Sequence, residues 1–231
     1  MKTLGLIGGM TWFSTAVYYK TINQLMNERL GGIHSAKLIL YSLNFNDYKQ
    51  LQDKDDWKQI ESMFSNMAKK LENTGADCIV MCTNTPHLIA DKIRQKIKIP
   101  LIHIAEETAK EIVRQKINKV ALLGTKFTME NSFFKDKLSL LGIEPIIPDS
   151  NDRNFIHSSI FNEFAKGIYK EETKKKYLNI IEKLSKKGVQ GIIFGCTEIS
   201  LLLNPSECNI PVFDTTVIHS KAAVDFALSN L

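Results

Sequence analysis

Two short segments contain residues whose types and order could do chemistry. Met81-Cys82-Thr83-Asn84-Thr85 and Gly195-Cys196-Thr197-Glu198 each follow an apolar, β-branched run and precede a stretch with helical spacing. The pattern predicts two Cys-Thr pairs, each at the end of a strand and the mouth of a helix. Because a helix N-terminus favours an anion, we expect a lowered pKa for both thiols.

Two such thiols are suited to inversion of a stereocentre. A thiolate could remove a proton from one face of a carbon while a thiol delivers a proton to the other face. Positioned acid–base groups contribute about 10²–10⁴-fold, so an enolate would need further stabilisation. Backbone N–H groups and the hydroxyls of Thr83, Thr85 and Thr197 are candidate donors. A single buried cysteine is more often an apolar filler, but the matching Cys-Thr contexts favour chemistry.

Other motifs offer weaker alternatives. The turn Gly5-Leu6-Ile7-Gly8-Gly9 is not a GxGxxG fingerprint, and its glycines favour backbone approach to a substrate anion. His87, after Pro86, is expected to be neutral, either beside the site or in a structural role.

Two further interpretations of the cysteines are a hydrolase-like Cys–His pair and a metal site. His103 or His219 could pair with a cysteine as in a hydrolase, but no spacing supports this. A metal held by Cys82, Cys196 and a histidine is a minor alternative.

The composition indicates a folded globular protein. The chain has 231 residues, of which 44% are hydrophobic and 24% charged, enough for one large or two small domains. Its formal charge of +5 comes from scattered lysines, and the densest run, Lys174-Lys175-Lys176, lies near Glu171 and Glu172. That run predicts a solvated helix face, and no nucleic-acid partner is expected. No apolar segment approaches the roughly 20 residues of a membrane span, so no membrane partner is expected. Four cysteines without CxxC or metal spacing favour the reducing cytoplasm.

Alternating strand and helix patterns predict an α/β fold with parallel sheets. Strands are predicted near Lys2–Ile7, 37–43, 77–81, 101–104, 119–123, 144–147 and 190–195, and helices near 15–30, 57–73, 86–96, 132–141, 154–166 and 172–187. In the first helix, Ala16, Tyr19, Ile22, Leu25 and Met26 are expected on one side. The pairs Cys82-Thr83 and Ile99-Pro100 of the first half recur as Cys196-Thr197 and Ile210-Pro211 in the second half. This repetition predicts two α/β domains related by duplication.

Several longer segments together resemble the aspartate/glutamate racemase family, which works without pyridoxal phosphate. The closest likeness is to bacterial amino-acid racemases of about this length, which include acidic-substrate and broad-specificity members. The segments are Lys2-Thr3-Leu4-Gly5-Leu6-Ile7-Gly8-Gly9-Met10-Thr11-Trp12, Leu30-Gly31-Gly32-Ile33-His34-Ser35-Ala36, Cys82-Thr83-Asn84-Thr85-Pro86-His87, Val120–Glu130, Ile193–Ile199 and Pro211-Val212-Phe213-Asp214-Thr215.

The resemblance implies two similar α/β domains with the active site in the cleft between them, no cofactor, an amino-acid substrate and a homodimer. It implies a first domain of residues 1–98 plus 208–231 and a second of 99–207. It makes Cys82 and Cys196 the acid/base pair. The substrate-binding residues it implies are Met10, Gln52, Thr83, Asn84, Thr85, Thr125, Thr128, Thr197 and Glu198.

One departure from the family pattern concerns the substrate side chain. Aspartate-specific members carry an arginine after the second strand, and Asn44-Phe45-Asn46-Asp47-Tyr48 contains none. Lys166 matches a lysine of aspartate-type enzymes and could supply the positive charge, or it could be a surface lysine. The hypothesis is a two-thiol racemase of aspartate or glutamate. The alternatives are a broad-specificity racemase for neutral or polar amino acids and a non-catalytic amino-acid-binding or redox-responsive protein.

Overall fold

A computed structural model describes residues 1–229, and the chain divides into two compact units. Unit 1 is Met1–His103 together with the C-terminal segment from His219, and unit 2 is Ile104–Ile218.

Unit 1 is built on a parallel sheet. Its strands are β1 (Leu4–Gly8), β2 (Leu38–Ser42), β3 (Cys78–Met81) and β4 (Leu101–Ile102), in the order β2-β1-β3-β4. Its helices are α1 (Trp12–Leu30), α2 (Phe45–Asp53), α3 (Trp57–Asn73) and α4 (Ala90–Arg94), with a 3-10 helix, Thr85–Ile89, before α4.

Unit 2 repeats this arrangement. Its strands are β5 (Lys119–Gly124), β6 (Glu144–Ile146), β7 (Gly191–Gly195) and β8 (Val212–Asp214), in the order β6-β5-β7-β8. Its helices are α5 (Ile104–Arg114), α6 (Lys126–Glu130), α7 (Ser132–Ser139), α8 (Ser150–Asn162), α9 (Glu171–Ser185) and α10 (Ile199–Leu202), with 3-10 helices Phe164–Lys166 and Pro205–Glu207. After β8 comes α11 (Thr215–Leu228), most of which belongs to unit 1.

The strand order confirms the predicted α/β class. In both sheets the second strand lies at one edge, followed by the first, third and fourth, and every pairing is parallel. Since β4 pairs with β3 and β8 pairs with β7, the units divide at 103/104 and 218/219. The sequence-based limits were 98/99 and 207/208, which would have assigned both of these strands to the other domain.

Alternation along β3 distributes its side chains between two cores. Cys78, Val80 and Cys82 pack in one cluster with α1 and α11, whereas Ile79 and Met81 pack in the other. Cys78 and Cys82 therefore lie on the same face of the sheet. All four cysteines are free thiols.

In the described part of the chain, residues 1–229, no helix combines the length and apolar character that a bilayer span requires.

Candidate active site

Cys82 lies where the sequence predicts it, directly after β3. Its backbone N–H donates to the Ile7 carbonyl at 2.9 Å, which continues the pairing of β3 with β1. Its side chain is fully buried against apolar residues that include Leu6 and Tyr18. The thiol therefore sits at the carboxyl edge of the sheet, where ligands of open α/β sheets bind.

The loop after Cys82 carries the predicted donors. Thr83 is half-buried, and Asn84 and Thr85 are buried. The predicted helix from Pro86 to about Lys96 is in fact a 3-10 turn followed by the five residues of α4.

Two other predicted residues of unit 1 lie on the opposite face of the sheet. The Gln52 amide donates to the Tyr48 hydroxyl at 3.1 Å, and Met10 packs in the same cluster as Tyr48. Gln52 therefore contacts Tyr48, which belongs to the same cluster as Met10, while Cys82 packs in the other cluster of unit 1.

The β1–α1 turn beside this edge depends on glycine. Gly9 has φ +99°, and a Cβ there would lie 2.2 Å from the Leu43 carbonyl oxygen. Its N–H donates to the Thr15 hydroxyl at 2.7 Å. The Gly9 N–H is therefore bonded to Thr15 in this structure, and the approach of these glycines to a substrate anion stays a prediction.

Cys196 in unit 2 has a carboxylate partner. Its thiol donates to Glu198 Oε2 at 3.0 Å, and both side chains are buried. Glu198 precedes the four-residue helix α10, but its side chain makes no capping bond to that helix. The carboxylate accepts a hydrogen bond from the thiol instead.

Threonines surround this second strand end. Thr125 caps α6 by accepting from the Thr128 N–H at 3.3 Å, and the two hydroxyls are 3.2 Å apart. Gly124 and Gly195 are register partners, and a Cβ on Gly195 would lie 3.1 Å from Thr128 Cγ2. The paired glycines let Thr128 pack closely beneath the cysteine loop. Thr197, next to Cys196, is also buried.

The prediction of lowered thiol pKa values is wrong for this state of the protein. Burial raises the pKa of the Cys82 thiol. Burial also raises the pKa of Cys196, and the charge of Glu198 adds to that effect. Since the 3-10 turn Thr85–Ile89 and α10 are short, they offer little helix dipole to offset desolvation. Both thiols rest in the protonated form at neutral pH.

Lys166 is exposed at the end of the 3-10 helix Phe164–Lys166. Three residues later, Tyr169 stacks on Phe164 with ring centroids 5.6 Å apart. Burial, then the charges of Glu198 and Cys196, raise the pKa of Tyr169 to about 12. Tyr169 therefore lies within electrostatic reach of the second thiol.

Sequence reasoning missed two aromatic neighbours of Cys196, Tyr169 and Tyr177. Tyr177 is fully buried in the same apolar cluster as Cys196, and its hydroxyl lies 2.9 Å from Ser159 Oγ. No local motif marks either tyrosine, because both are distant from Cys196 in sequence: Tyr169 precedes α9 and Tyr177 lies within it. The stacking of Tyr169 on Phe164 depends on the tertiary fold.

His87 is neutral, as the sequence predicts. Burial, together with the neighbouring imidazoles of His103 and His219, holds the pKa of His87 well below its usual range. Among residues 1–229, no three His, Cys, Asp or Glu side chains are grouped so that they could hold a metal ion.

Comparison with known proteins agrees with this geometry. The family model described as Asp/Glu/Hydantoin racemase matches residues 7–223, so the chain belongs to that family of enzymes. The broad specificity amino-acid racemase RacX of Bacillus subtilis (strain 168) is 26% identical over 230 residues, covering 98% of each chain.

Two crystal structures share the whole fold. A Yersinia pestis protein with a provisional Asp/Glu racemase designation is 51% identical, with a TM-score of 0.93 over 99% of this chain and 100% of that one. An aspartate racemase homologue from Pyrococcus horikoshii OT3 is 33% identical, with a TM-score of 0.86 over 98% of this chain and 99% of that one.

Proposed function

We propose that the protein interconverts L- and D-amino acids by a two-thiol mechanism without pyridoxal phosphate. The observation that carries the proposal is the repetition of one site. A cysteine follows the third strand of each sheet, in two sheets of equivalent strand order. Cys82 and Cys196 would serve opposite faces of one substrate α-carbon.

Proton movements in this mechanism begin from two protonated thiols. Glu198 takes the proton of Cys196 along their existing hydrogen bond, and the resulting thiolate removes the α-proton of the substrate. The Cys82 thiol then gives its proton to the opposite face, which leaves Cys82 as the thiolate. The reverse reaction starts from that state, with Cys82 as base and Cys196 as acid.

The carbanion intermediate is the difficult species, because an α-proton of an amino acid is weakly acidic. Hydrogen-bond donors aimed at the substrate carboxylate would stabilise the enolate charge, and they act strongly in a buried site. In the proposal Thr83, Asn84 and Thr85 hold the α-carboxylate and amino group. Thr125, Thr128 and Thr197 surround the Cys196 side, and Met10 and Gln52 line the pocket.

For the substrate we propose aspartate or glutamate. Lys166 supplies the positive charge that a distal carboxylate needs, from the same segment as Tyr169. One relative is named a glutamate racemase and another an aspartate racemase homologue.

A broad-specificity racemase is the second candidate, and the start of α2 favours it. Asn44 caps that helix by accepting from the Asn46 N–H at 3.3 Å, and its amide donates to the Asp47 carboxylate at 3.0 Å. Residues 44–48 contain no lysine or arginine that could pair with a distal carboxylate, which favours neutral or polar side chains.

We further propose a cytoplasmic homodimer. Trp12 and Tyr19 share one face of α1 and are 64% and 53% exposed, which is unusual for such large apolar rings. A second copy covering this face would remove them from water. The mechanism itself requires two reduced thiols, which a reducing compartment maintains.

One experiment tests the proposed function. Pure protein is incubated in D₂O with a panel of L- and D-amino acids, and α-deuteration and chirality are followed together. Deuteration with loss of optical purity supports the racemase, and the best substrate distinguishes acidic from broad specificity. Absence of exchange with every amino acid would contradict the proposal.

A further inference from the structure

His87 occupies an unusual position in unit 1. It lies five residues after Cys82, is 2% exposed, and its Nδ1 is 3.2 Å from the Asn84 carbonyl oxygen. It also makes a hydrogen bond with the backbone of Thr83. Its Nε2 is buried and has no hydrogen-bond partner among the described residues.

The contacts assign the tautomer of His87. A carbonyl oxygen can only accept, so the proton of the neutral ring is on Nδ1. Nε2 then carries a lone pair, which is compatible with its buried, unpartnered state. A proton on Nε2 instead would leave the Nδ1 contact without a donor.

Neighbouring rings hold His87 in place. The ring centroids of His103 and His219 are 4.8 and 5.5 Å from that of His87. His219 Nε2 is 2.9 Å from the Ile102 carbonyl oxygen, so it carries the proton, and Nδ1 accepts from the Tyr18 hydroxyl at 2.9 Å. This histidine cluster, His87, His103 and His219 with Tyr18, thereby joins the Cys82 loop to α1, β4 and α11.

The geometry of the peptide bond, together with these contacts, fixes the direction of the N–H groups in the Cys82 loop. In a planar trans peptide the C=O and the following N–H point to opposite sides. When the Thr83 and Asn84 carbonyls face His87, the N–H groups of Asn84 and Thr85 point away from the histidine cluster.

We propose that His87 is a positioning residue that fixes the Thr83 and Asn84 peptide groups, and so orients the Asn84 and Thr85 N–H groups toward the substrate carboxylate. This inference rests on the proposed function, because it assigns those two groups to a substrate anion. Backbone donors held in advance need no reorganisation when charge develops on the enolate. The neutral imidazole is suited to this role, since its depressed pKa keeps a positive charge out of the buried loop.

The first test is the protonation state of His87 in the wild-type protein. A long-range ¹H–¹⁵N correlation spectrum at pH 7 should show Nδ1 protonated and Nε2 unprotonated. An Nε2–H tautomer or an imidazolium would overturn the inference, whatever reaction the protein catalyses.

The second test uses two variants of nearly equal size. His87→Asn keeps an amide N–H close to the position of Nδ1, whereas His87→Leu removes it. We expect kcat/KM for racemisation to fall about 10–100-fold in His87→Leu, the value of one misplaced hydrogen bond from a backbone N–H to the charged substrate carboxylate, and to be largely restored in His87→Asn. If kcat/KM fell equally in two variants of equal melting temperature, His87 would contribute only packing, which would contradict the proposal.

Backbone amide shifts separate this inference from the proposed function. If the wild-type protein exchanged no α-proton, the racemase proposal would fail, but the Asn84 and Thr85 amide signals would still report orientation. We expect both signals to move in His87→Leu and to stay near wild-type positions in His87→Asn. Unchanged signals in His87→Leu would overturn the positioning role.

Discussion

The Cys196 thiol donates a hydrogen bond to the Glu198 carboxylate at 3.0 Å, and both groups are buried. Cys82 is instead packed among apolar residues of the cluster that contains Leu4, Leu6 and Tyr18. The two strand ends therefore repeat the cysteine but differ in what surrounds it. On the proposed mechanism, Glu198 is the group that starts the cycle from two protonated thiols.

Glu198→Gln should slow racemisation while leaving the fold intact. The amide is nearly isosteric with the carboxylate but cannot take the thiol proton, so kcat should fall about 10²-fold or more, as for loss of a general base. Because the equilibrium constant between enantiomers is one, kcat/KM must fall equally in both directions. Steady-state rates with each enantiomer check this. Glu207→Gln, which removes an exposed partner of Lys174, is the matched control and should retain full activity.

The primary isotope effect, unlike kcat/KM, is expected to differ between the two reaction directions in Glu198→Gln. Solvent deuterium enters the product from whichever thiol acts as the acid, so the primary isotope effects of the two directions should diverge in the variant. Identical isotope effects in wild type and variant would mean that Glu198 does not supply the base for Cys196.

Cys82→Ser and Cys196→Ser should each abolish racemisation, because a serine hydroxyl is far too weak an acid to replace either thiol. Each variant keeps one base and can still exchange the α-proton of one enantiomer. Chiral analysis and α-deuteration in D₂O measure both properties. Cys78→Ala is the control, since Cys78 lies on the same strand face with a pKa raised by burial to about 12. Two-way turnover in either serine variant would remove the two-thiol mechanism.

Strong periodicity made parts of the fold predictable. The sequence predicts α3 with the observed limits, because Ile60, Phe64 and Leu71 recur at helical spacing and are buried. Asp56 caps its start by accepting from the Gln59 N–H at 3.0 Å. The predicted strands also agree within a few residues, since buried parallel strands read as continuous apolar runs.

Weak or misleading periodicity accounts for two of the errors, in α2 and in α1. The segment Phe45–Asp53 is largely polar and buries only Tyr48 and Gln52, so α2 gave no helical signal. In α1 the predicted inner residues Ala16 and Tyr19 are exposed, while Ser14 and Thr15 are buried. Buried polar residues at a turn cannot be recognised from hydrophobicity, because their partners are set by the fold.

The surroundings of the two thiols were likewise only partly predictable from the sequence. Strand ends and following turns were predictable from Gly195-Cys196-Thr197, but the length of the following helix was not. Burial then decided the pKa of each thiol, and burial depends on segments distant in sequence, such as α11 against Cys82. The Cys196–Glu198 bond could have been suspected from their spacing of two residues.

Acidification should destabilise unit 1 through the histidine cluster. Burial lowers the pKa of His219 from 6.5 to about 4, so between these values the unfolded chain binds a proton that the folded state does not. Stability from this group is complete above pH 6.5 and decreases as pH falls toward 4, by about 3 kcal/mol in all. Tyr18, His87 and His103 are the groups that face it or interact with its charge, and the lowered pKa of His87 acts in the same direction.

Denaturant unfolding from pH 7.5 to 4.5 measures this slope. His219→Gln keeps a donor near the Ile102 carbonyl but does not titrate, so its free energy of unfolding should depend less steeply on pH than that of wild type. Parallel pH profiles for the two proteins would show that His219 does not control acid stability.

Lys166→Ala should distinguish acidic from neutral substrates. If the ammonium pairs with a distal carboxylate, its removal raises KM for aspartate and glutamate about tenfold, the value of one charged hydrogen bond of roughly 1.5 kcal/mol. Neutral amino acids make no such contact and should be unaffected. Lys187→Ala removes another exposed lysine from unit 2 and controls for the change in net charge. Equal losses on acidic and neutral substrates in Lys166→Ala would exclude this lysine from side-chain recognition, and the polar start of α2 would then favour broad specificity.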